Sequence, residues 1–254
     1  MHFPTNPFTQ AIKRGETQIG LWVSLMDGFS AEIIAQAGFD WVCLDMEHSP
    51  SDLSKVMQQL QVFEASPTTA LVRPDWNDAV KVKRLLDLGA PGLVFPMVQS
   101  VEEARAAVAA TRYPPRGIRG VSGSHRGNKF GAIEDYYDRV EEELTVIVQL
   151  ETRAAIAQAE AIADVDGVSG IFFGPADIAA DLGHLGSSLH EDVWDLVRPV
   201  AKKLRAKGMP VGTLVLDVPF ARQLIADDFT FVAVGTDAAL LRAASLGLAR
   251  DMRG

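Results

Sequence analysis

The stretch Trp41-Val-Cys-Leu-Asp-Met-Glu-His48, followed by a helical pattern over about 51–64, is the unit from which this chain is built. The apolar residues Trp41 to Leu44 run on without alternation, and polarity then switches abruptly to Asp45, Glu47 and His48. A continuous apolar strand is one covered on both faces, as in a parallel sheet packed beneath helices. In the segment that follows, Leu53, Val56, Met57 and Leu60 recur at helical spacing.

Outward from this unit the same alternation repeats. Strands are expected at 19–25, 41–45, 69–73, 92–96, 145–151, 170–174, 211–216 and 231–235. Helices are expected at 30–37, 51–64, 78–88, 101–111, 153–162, 175–182, 192–207, 219–226 and 238–253. Asp78 reads as an N-cap, and Gly89 lies just past the end of its helix. Eight βα units in 254 residues favour a closed (β/α)8 TIM barrel over an open doubly wound sheet. No low-complexity linker divides them, so residues 1–254 are read as one domain.

Composition excludes several classes of function. The net charge is −9, and the 24 lysines and arginines are scattered rather than clustered, which argues against nucleic acid and anionic membranes as partners. A single cysteine, Cys43, leaves no intramolecular disulfide and no Cys-based zinc cluster. No apolar run reaches membrane-spanning length, and residues 1–10 lack the layout of a signal peptide, so a cytoplasmic location is expected.

In a barrel the C-terminal strand ends converge on one mouth. There the chain places Asp45, Glu47 and His48, then Arg73, then Gln149 and Glu151, and finally Gly174-Pro-Ala-Asp177. So many polar groups are costly to desolvate unless they pair with one another or hold a metal. Glu151 and Asp177 leave adjacent strands at one height, and two carboxylates with water suit a hard octahedral ion, Mg²⁺ or Mn²⁺, with Co²⁺ as a third choice. The plainer alternative is a pair of helix caps. Backbone N–H groups near Gly174, Pro175 and Ala176 open a helix and could hold a substrate carboxylate, although the motif also reads as an ordinary turn with proline at the first helical position.

His48 reads as a general base oriented by Asp45 or another carboxylate, and Arg73 as the stabiliser of an enolate or carbonyl oxygen. A structural salt bridge is the competing role for Arg73. Trp22 and Leu216, near the ends of the first and seventh strands, are candidate substrate contacts. His2, His184 and His190 show no partner pattern.

Absences narrow the chemistry further. All eight lysines fall on helices or loops, which removes a Schiff-base aldolase. No phosphate-binding glycine motif and no hydrolase motif is present. Metal-stabilised enolate chemistry is what remains. The stretch 113–137, rich in Gly, Pro and Arg, is too long for an ordinary connection. It follows the fourth helix and so lies nominally on the N-terminal side of the strands, with a disordered surface loop as the plainer alternative. To serve the mouth it must wrap round the barrel or reach a neighbouring subunit.

Phe39-Asp-Trp-Val-Cys-Leu-Asp-Met-Glu-His48, Val94-Phe-Pro-Met-Val-Gln99, Arg112-Tyr-Pro-Pro-Arg-Gly-Ile-Arg-Gly120, Val148-Gln-Leu-Glu-Thr152 and Gly174-Pro-Ala-Asp177 together resemble the HpcH/HpaI aldolases, over about 20–248. The resemblance implies a class II pyruvate aldolase that cleaves 4-hydroxy-2-oxo acids to pyruvate, or a close 2-oxo acid, and an aldehyde. It implies Glu151 and Asp177 as metal ligands, Arg73 and Gln149 on the pyruvyl group, and His48 in the acid–base apparatus, supported by Asp87. It also implies a hexamer whose last helix, 238–253, is exchanged between subunits, with Asp87 acting across that interface. The run Val121-Ser-Gly-Ser-His-Arg-Gly-Asn-Lys-Phe130 departs from the Ala- and Arg-rich stretch of many relatives, on the side expected to shape the aldehyde site. Two rival functions share the barrel: an acyl-CoA lyase of the citrate-lyase β or malyl-CoA type, and a non-enzymatic binding barrel.

Overall fold

The computed structural model describes residues 1–254. Eight parallel strands close on themselves in chain order: β1 (Gln18–Val23), β2 (Trp41–Asp45), β3 (Thr69–Arg73), β4 (Gly92–Phe95), β5 (Thr145–Leu150), β6 (Gly170–Phe173), β7 (Val211–Leu214) and β8 (Phe231–Thr236). The expected (β/α)8 barrel is therefore the fold. Its helices are α1 (Pro7–Lys13), α2 (Gly28–Ala35), α3 (Leu53–Phe63), α4 (Ala79–Asp87), α5 (Val101–Thr111), α6 (Tyr136–Glu143), α7 (Arg153–Ala157), α8 (Ala159–Ala163), α9 (Pro175–Asp181), α10 (Glu191–Ala206), α11 (Val218–Ala226) and α12 (Asp237–Arg253).

Alternate residues of each strand serve two separate cores. Along β2, Trp41 and Cys43 join the barrel interior with Leu71, Val94, Ile147, Phe172 and Phe231. Val42 and Leu44 face the other way and join the larger core beneath the helices. This two-sided burial is why the strands read as unbroken apolar runs. Gly20 leaves room inside: a Cβ there would lie 2.2 Å from the Trp41 ring.

One interior contribution has no counterpart among the expected elements. α1, capped by Asn6 and opened by Pro7, inserts Phe8 and Ile12 into the barrel core. Asn6 fixes it there, donating from Nδ2 to the carbonyls of Pro91 and Glu143. The N-terminal end of the barrel interior is thus plugged by Phe8 and Ile12, and the strand C-terminal ends form the opposite mouth.

Several boundaries move for local reasons. β1 stops at Val23 because the N–H groups of Ser24 and Leu25 are taken by the Asp237 carboxylate. The helix expected over 153–162 is two short ones that meet at Gln158, whose side chain turns back to the Gln99 carbonyl.

The stretch 113–137 is structured, so the alternative of a disordered surface loop does not hold. It carries a 3-10 turn over Arg126–Gly131 and leads into α6, and both Arg119 and His125 are buried. Its glycines serve close packing: a Cβ on Gly127 would meet the Leu86 carbonyl oxygen at 2.6 Å. Arg126 donates to the Leu88 carbonyl, and Arg119 pairs with Asp87 at 2.8 Å, so the stretch stays at the N-terminal pole of its own barrel.

Candidate active site

Polar side chains gather where apolar strands end. β2 and β3 pair in register, with Asp45 opposite Arg73. The arginine fork grips that carboxylate with both arms, Nε to Oδ1 and Nη2 to Oδ2, each at 2.8 Å. Nη1, the remaining arm, lies 2.8 Å from Glu47 Oε2. The guanidinium sits over the Trp22 ring, 5.0 Å from its centroid, with the charge and its partners buried together. A buried bidentate pair of this kind fixes orientation as well as charge.

The next sector comes from β5 and β6. Glu151, one residue past β5, is 1% exposed. Its Oε2 accepts from the Met97 N–H at 2.7 Å, and its Oε1 from Gln149 Nε2 at 2.8 Å. Met97 presents its N–H from a left-handed backbone at φ 50°, which is strained for a non-glycine residue and common beside functional groups. Asp177 lies in the first turn of α9. Burial pushes the Glu151 carboxyl up to about 8, reinforced by the neighbouring charges of Asp177 and Glu47 and opposed by the Met97 N–H. Burial likewise raises Glu47, against the pull of Arg73 and His48.

Four acids, Asp45, Glu47, Glu151 and Asp177, thus gather at one mouth, while Arg73 is committed to Asp45 and Glu47. The Gln149 Oε1 is buried without a partner. Glu151 and Asp177 are left without a cationic partner from the protein, and their hard oxygen donors fit a divalent ion of the Mg²⁺ or Mn²⁺ class. Gly174 makes this arrangement possible. A Cβ there would stand 2.8 Å from Glu151 Oε1 and 3.1 Å from Gln149 Nε2.

A cavity of about 710 Å³ opens over these groups, lined by Trp22, His48, Arg73, Gln149, Gly174, Pro175, Ala176, Asp177 and Leu216. Ser188, Leu189, Asp217 and Thr236 also line it, and none of these four is marked by motif. His48 is exposed, and its nearest carboxylate is Glu47, with Nε2 and Oε1 3.9 Å apart. Asp45 faces Arg73 rather than His48. Glu47, read from sequence only as part of an acidic cluster, is the residue that links arginine, histidine and acid pair. Asp87 lies apart, at the end of α4 on the opposite pole, against Arg119 and 3.9 Å from His125. A single chain does not bring it to His48.

A parallel barrel plugged at one end, with acids, an arginine and a glutamine converging on the other, is the setting of an enzyme active site, and its relatives place the chain among the carbon–carbon lyases of the aldolase class. The chain belongs to the HpcH/HpaI aldolase/citrate lyase family, whose profile matches residues 18–244. It is 46% identical to a pyruvate aldolase from Rhizobium etli over 98% of both chains. It is 43% identical to a 4-hydroxy-2-oxo-heptane-1,7-dioate aldolase from Salmonella paratyphi C, over 98% of this chain and 97% of the relative. The crystal structure of an HpcH/HpaI aldolase/citrate lyase family protein from Burkholderia cenocepacia superposes with a TM-score of 0.94 at 37% identity, covering 98% of this chain and 100% of that one.

Proposed function

We propose that the chain is a divalent-metal-dependent class II aldolase that reversibly cleaves 4-hydroxy-2-oxo acids to pyruvate, or a close 2-oxo acid, and an aldehyde. The observation that carries this reading is the Glu151 and Asp177 pair, two interacting carboxyls with no basic partner, of which Asp177 lines the cavity and Glu151 lies buried beside it. These two residues would hold Mg²⁺ or Mn²⁺. Once bound, such an ion supplies Lewis acidity toward the 2-oxo group and charge stabilisation for the enolate.

The protein's own groups account for the rest. The Gln149 amide and the N–H groups of Ala176 and Asp177 at the start of α9 receive the pyruvyl carboxylate and keto oxygen. His48 takes the proton from the C4 hydroxyl, the C3–C4 bond electrons pass to the enolate, and the aldehyde carbonyl forms as the bond opens. Arg73, locked by Asp45, faces the developing enolate oxygen. Trp22 forms the floor beneath that arginine, and Leu216 supplies an apolar wall toward the aldehyde.

α12 gives the reading a quaternary side. Of its residues only Asp237 is buried, and Leu240, Leu241, Leu246, Leu248 and Met252 stand exposed. A helix that leaves this many large apolar side chains in water is one that a partner covers. In the proposed oligomer, a hexamer, it docks on a neighbouring subunit, and Asp87 reaches a neighbour's His48. No helix is long and apolar enough to cross a membrane.

The function test is pyruvate release from a panel of 4-hydroxy-2-oxo acids. Chelation by EDTA should abolish it and Mn²⁺ or Mg²⁺ should restore it. Release untouched by EDTA defeats the metal assignment, and turnover of acyl-CoA thioesters alone favours the acyl-CoA lyase. No turnover of any compound by metal-loaded protein leaves the binding barrel. Gly174 offers a second check. In G174A the new methyl group must displace Glu151, which is enclosed, so metal affinity should fall by about 10–100-fold, the cost usual for disturbing the support of a ligand. Isothermal titration with Mn²⁺ measures it, and unchanged affinity refutes the cradle.

A further inference from the structure

A second set of metal-ligating side chains lies outside the catalytic mouth, on the connection between α9 and α10. Tight turns shape this connection: the Ser187 N–H donates to the His184 carbonyl, and the His190 N–H to the Ser187 carbonyl, both at 2.9 Å. They bring His184 and His190 together with their rings stacked, 3.6 Å between centroids and 11° from parallel. Both imidazoles turn a nitrogen toward one oxygen of Asp192: His184 Nε2 lies 2.6 Å from Oδ2, and His190 Nδ1 lies 3.7 Å from it. The three donor atoms all fall within 4.8 Å of one another, and each side chain remains partly open to solvent.

We propose that His184, His190 and Asp192 form a peripheral site for a borderline divalent transition metal of the Zn²⁺ type, separate from the carboxylate pair and independent of the catalytic reading. Ligand chemistry separates the two. Imidazole donors select Zn²⁺, Ni²⁺ or Cu²⁺, whereas a carboxylate pair with water selects Mg²⁺ or Mn²⁺. Zinc held by two imidazoles, one carboxylate and a water has bonds of about 2.0–2.2 Å, which sets its donors roughly 3.3 Å apart. The present separations of 2.6 and 3.7 Å from Asp192 bracket that spacing, and the two rings must turn out of their parallel stack for both lone pairs to converge on one ion, a motion their partial exposure allows. One hydrogen bond is exchanged in the process. His190 Nδ1 now accepts from the Asp192 N–H at 3.2 Å as the cap of α10, and metal ligation takes that lone pair. Ser188 and Leu189, between the two histidines, line the catalytic cavity. A bound ion therefore ties down both ends of a segment of the mouth wall.

The test is Zn²⁺ binding to the intact protein in saturating Mg²⁺, read by equilibrium dialysis against the single variants H184N and H190N. Asparagine at position 190 keeps a capping side chain for α10. Wild type should hold one Zn²⁺ per chain under these conditions, and each variant should bind at least about tenfold more weakly, one of three protein donors being lost. H2N, altered at the N-terminus, should bind like wild type, as should E151Q. Absence of zinc binding by wild type in Mg²⁺ overturns the proposal. So does zinc retained by both histidine variants but lost in E151Q, which places the ion at the catalytic carboxylates.

Discussion

Glu151→Gln should lower kcat/KM for pyruvate release by about 10³ or more, because it removes a charged ligand from an ion expected to carry several kcal/mol of transition-state charge. The substitution is nearly isosteric, so the Met97 N–H keeps an acceptor and the fold should persist. The pH behaviour should change along with the rate. A carboxylate must be deprotonated to bind metal, and burial holds Glu151 at about 8 in the metal-free protein. Below that value, binding expels a proton, and Mn²⁺ affinity should rise by about tenfold for each pH unit before levelling off. The sign for stability runs the other way. A carboxyl raised above its ordinary 4.5 stabilises the fold fully only below that value, and the contribution is lost as pH rises toward 8. EDTA-treated wild type should therefore melt progressively lower as pH rises from about 5 to about 8, the window bounded by those two values. Added Mn²⁺ should recover most at the upper end. In E151Q both trends should flatten. A variant that retains the affinity slope would show that another group titrates, and one that retains the rate would remove Glu151 from the chemistry.

The parts of this molecule legible in its sequence are those written in unbroken apolar runs. Every strand of the barrel is covered on both sides, so residues such as Val42 and Cys43 are equally apolar although they enter different cores. The mouth was legible for a related reason: Asp45, Arg73 and Glu151 interrupt the runs at the same end of each strand. α1 escaped because a seven-residue helix carries only two deeply inserted apolar side chains, Phe8 and Ile12, too few for a period to emerge. The order within 113–137 was hidden by its glycines, which read as freedom but here admit a backbone close to the Leu86 carbonyl. Partner choice inside the site was equally hidden. Nothing in the spacing of Asp45, Glu47 and His48 says that the first two hold Arg73 while only Glu47 lies near the histidine. That division follows from the side-chain alternation of β2 and its register with β3. The stacked pair His184 and His190 depends on turn geometry between two helices, which leaves no periodic trace.

Arg73→Lys should reduce kcat by about 10²–10³, the usual cost of deleting one preorganised electrostatic contact, although formal charge is preserved. Arg73 meets both oxygens of Asp45 and, through its third nitrogen, Glu47, while resting on the Trp22 ring. A lysine ammonium is a single point at the end of a flexible stem and cannot span two carboxylates in a fixed plane. It will settle on one of them and leave the other buried with too little compensation. Substrate binding should suffer less than turnover, because the guanidinium matters most when negative charge reaches the enolate oxygen. The expected signature is a large drop in kcat with a modest change in KM. Asp45→Asn separates position from charge. It leaves Arg73 in place but replaces one bidentate partner with an amide, so kcat should fall in the same direction with the metal affinity unchanged. Wild-type turnover in R73K would assign Arg73 to structure alone, as a clasp between β2 and β3. A loss of Mn²⁺ binding in D45N would instead tie Asp45 to the metal cradle rather than to the arginine.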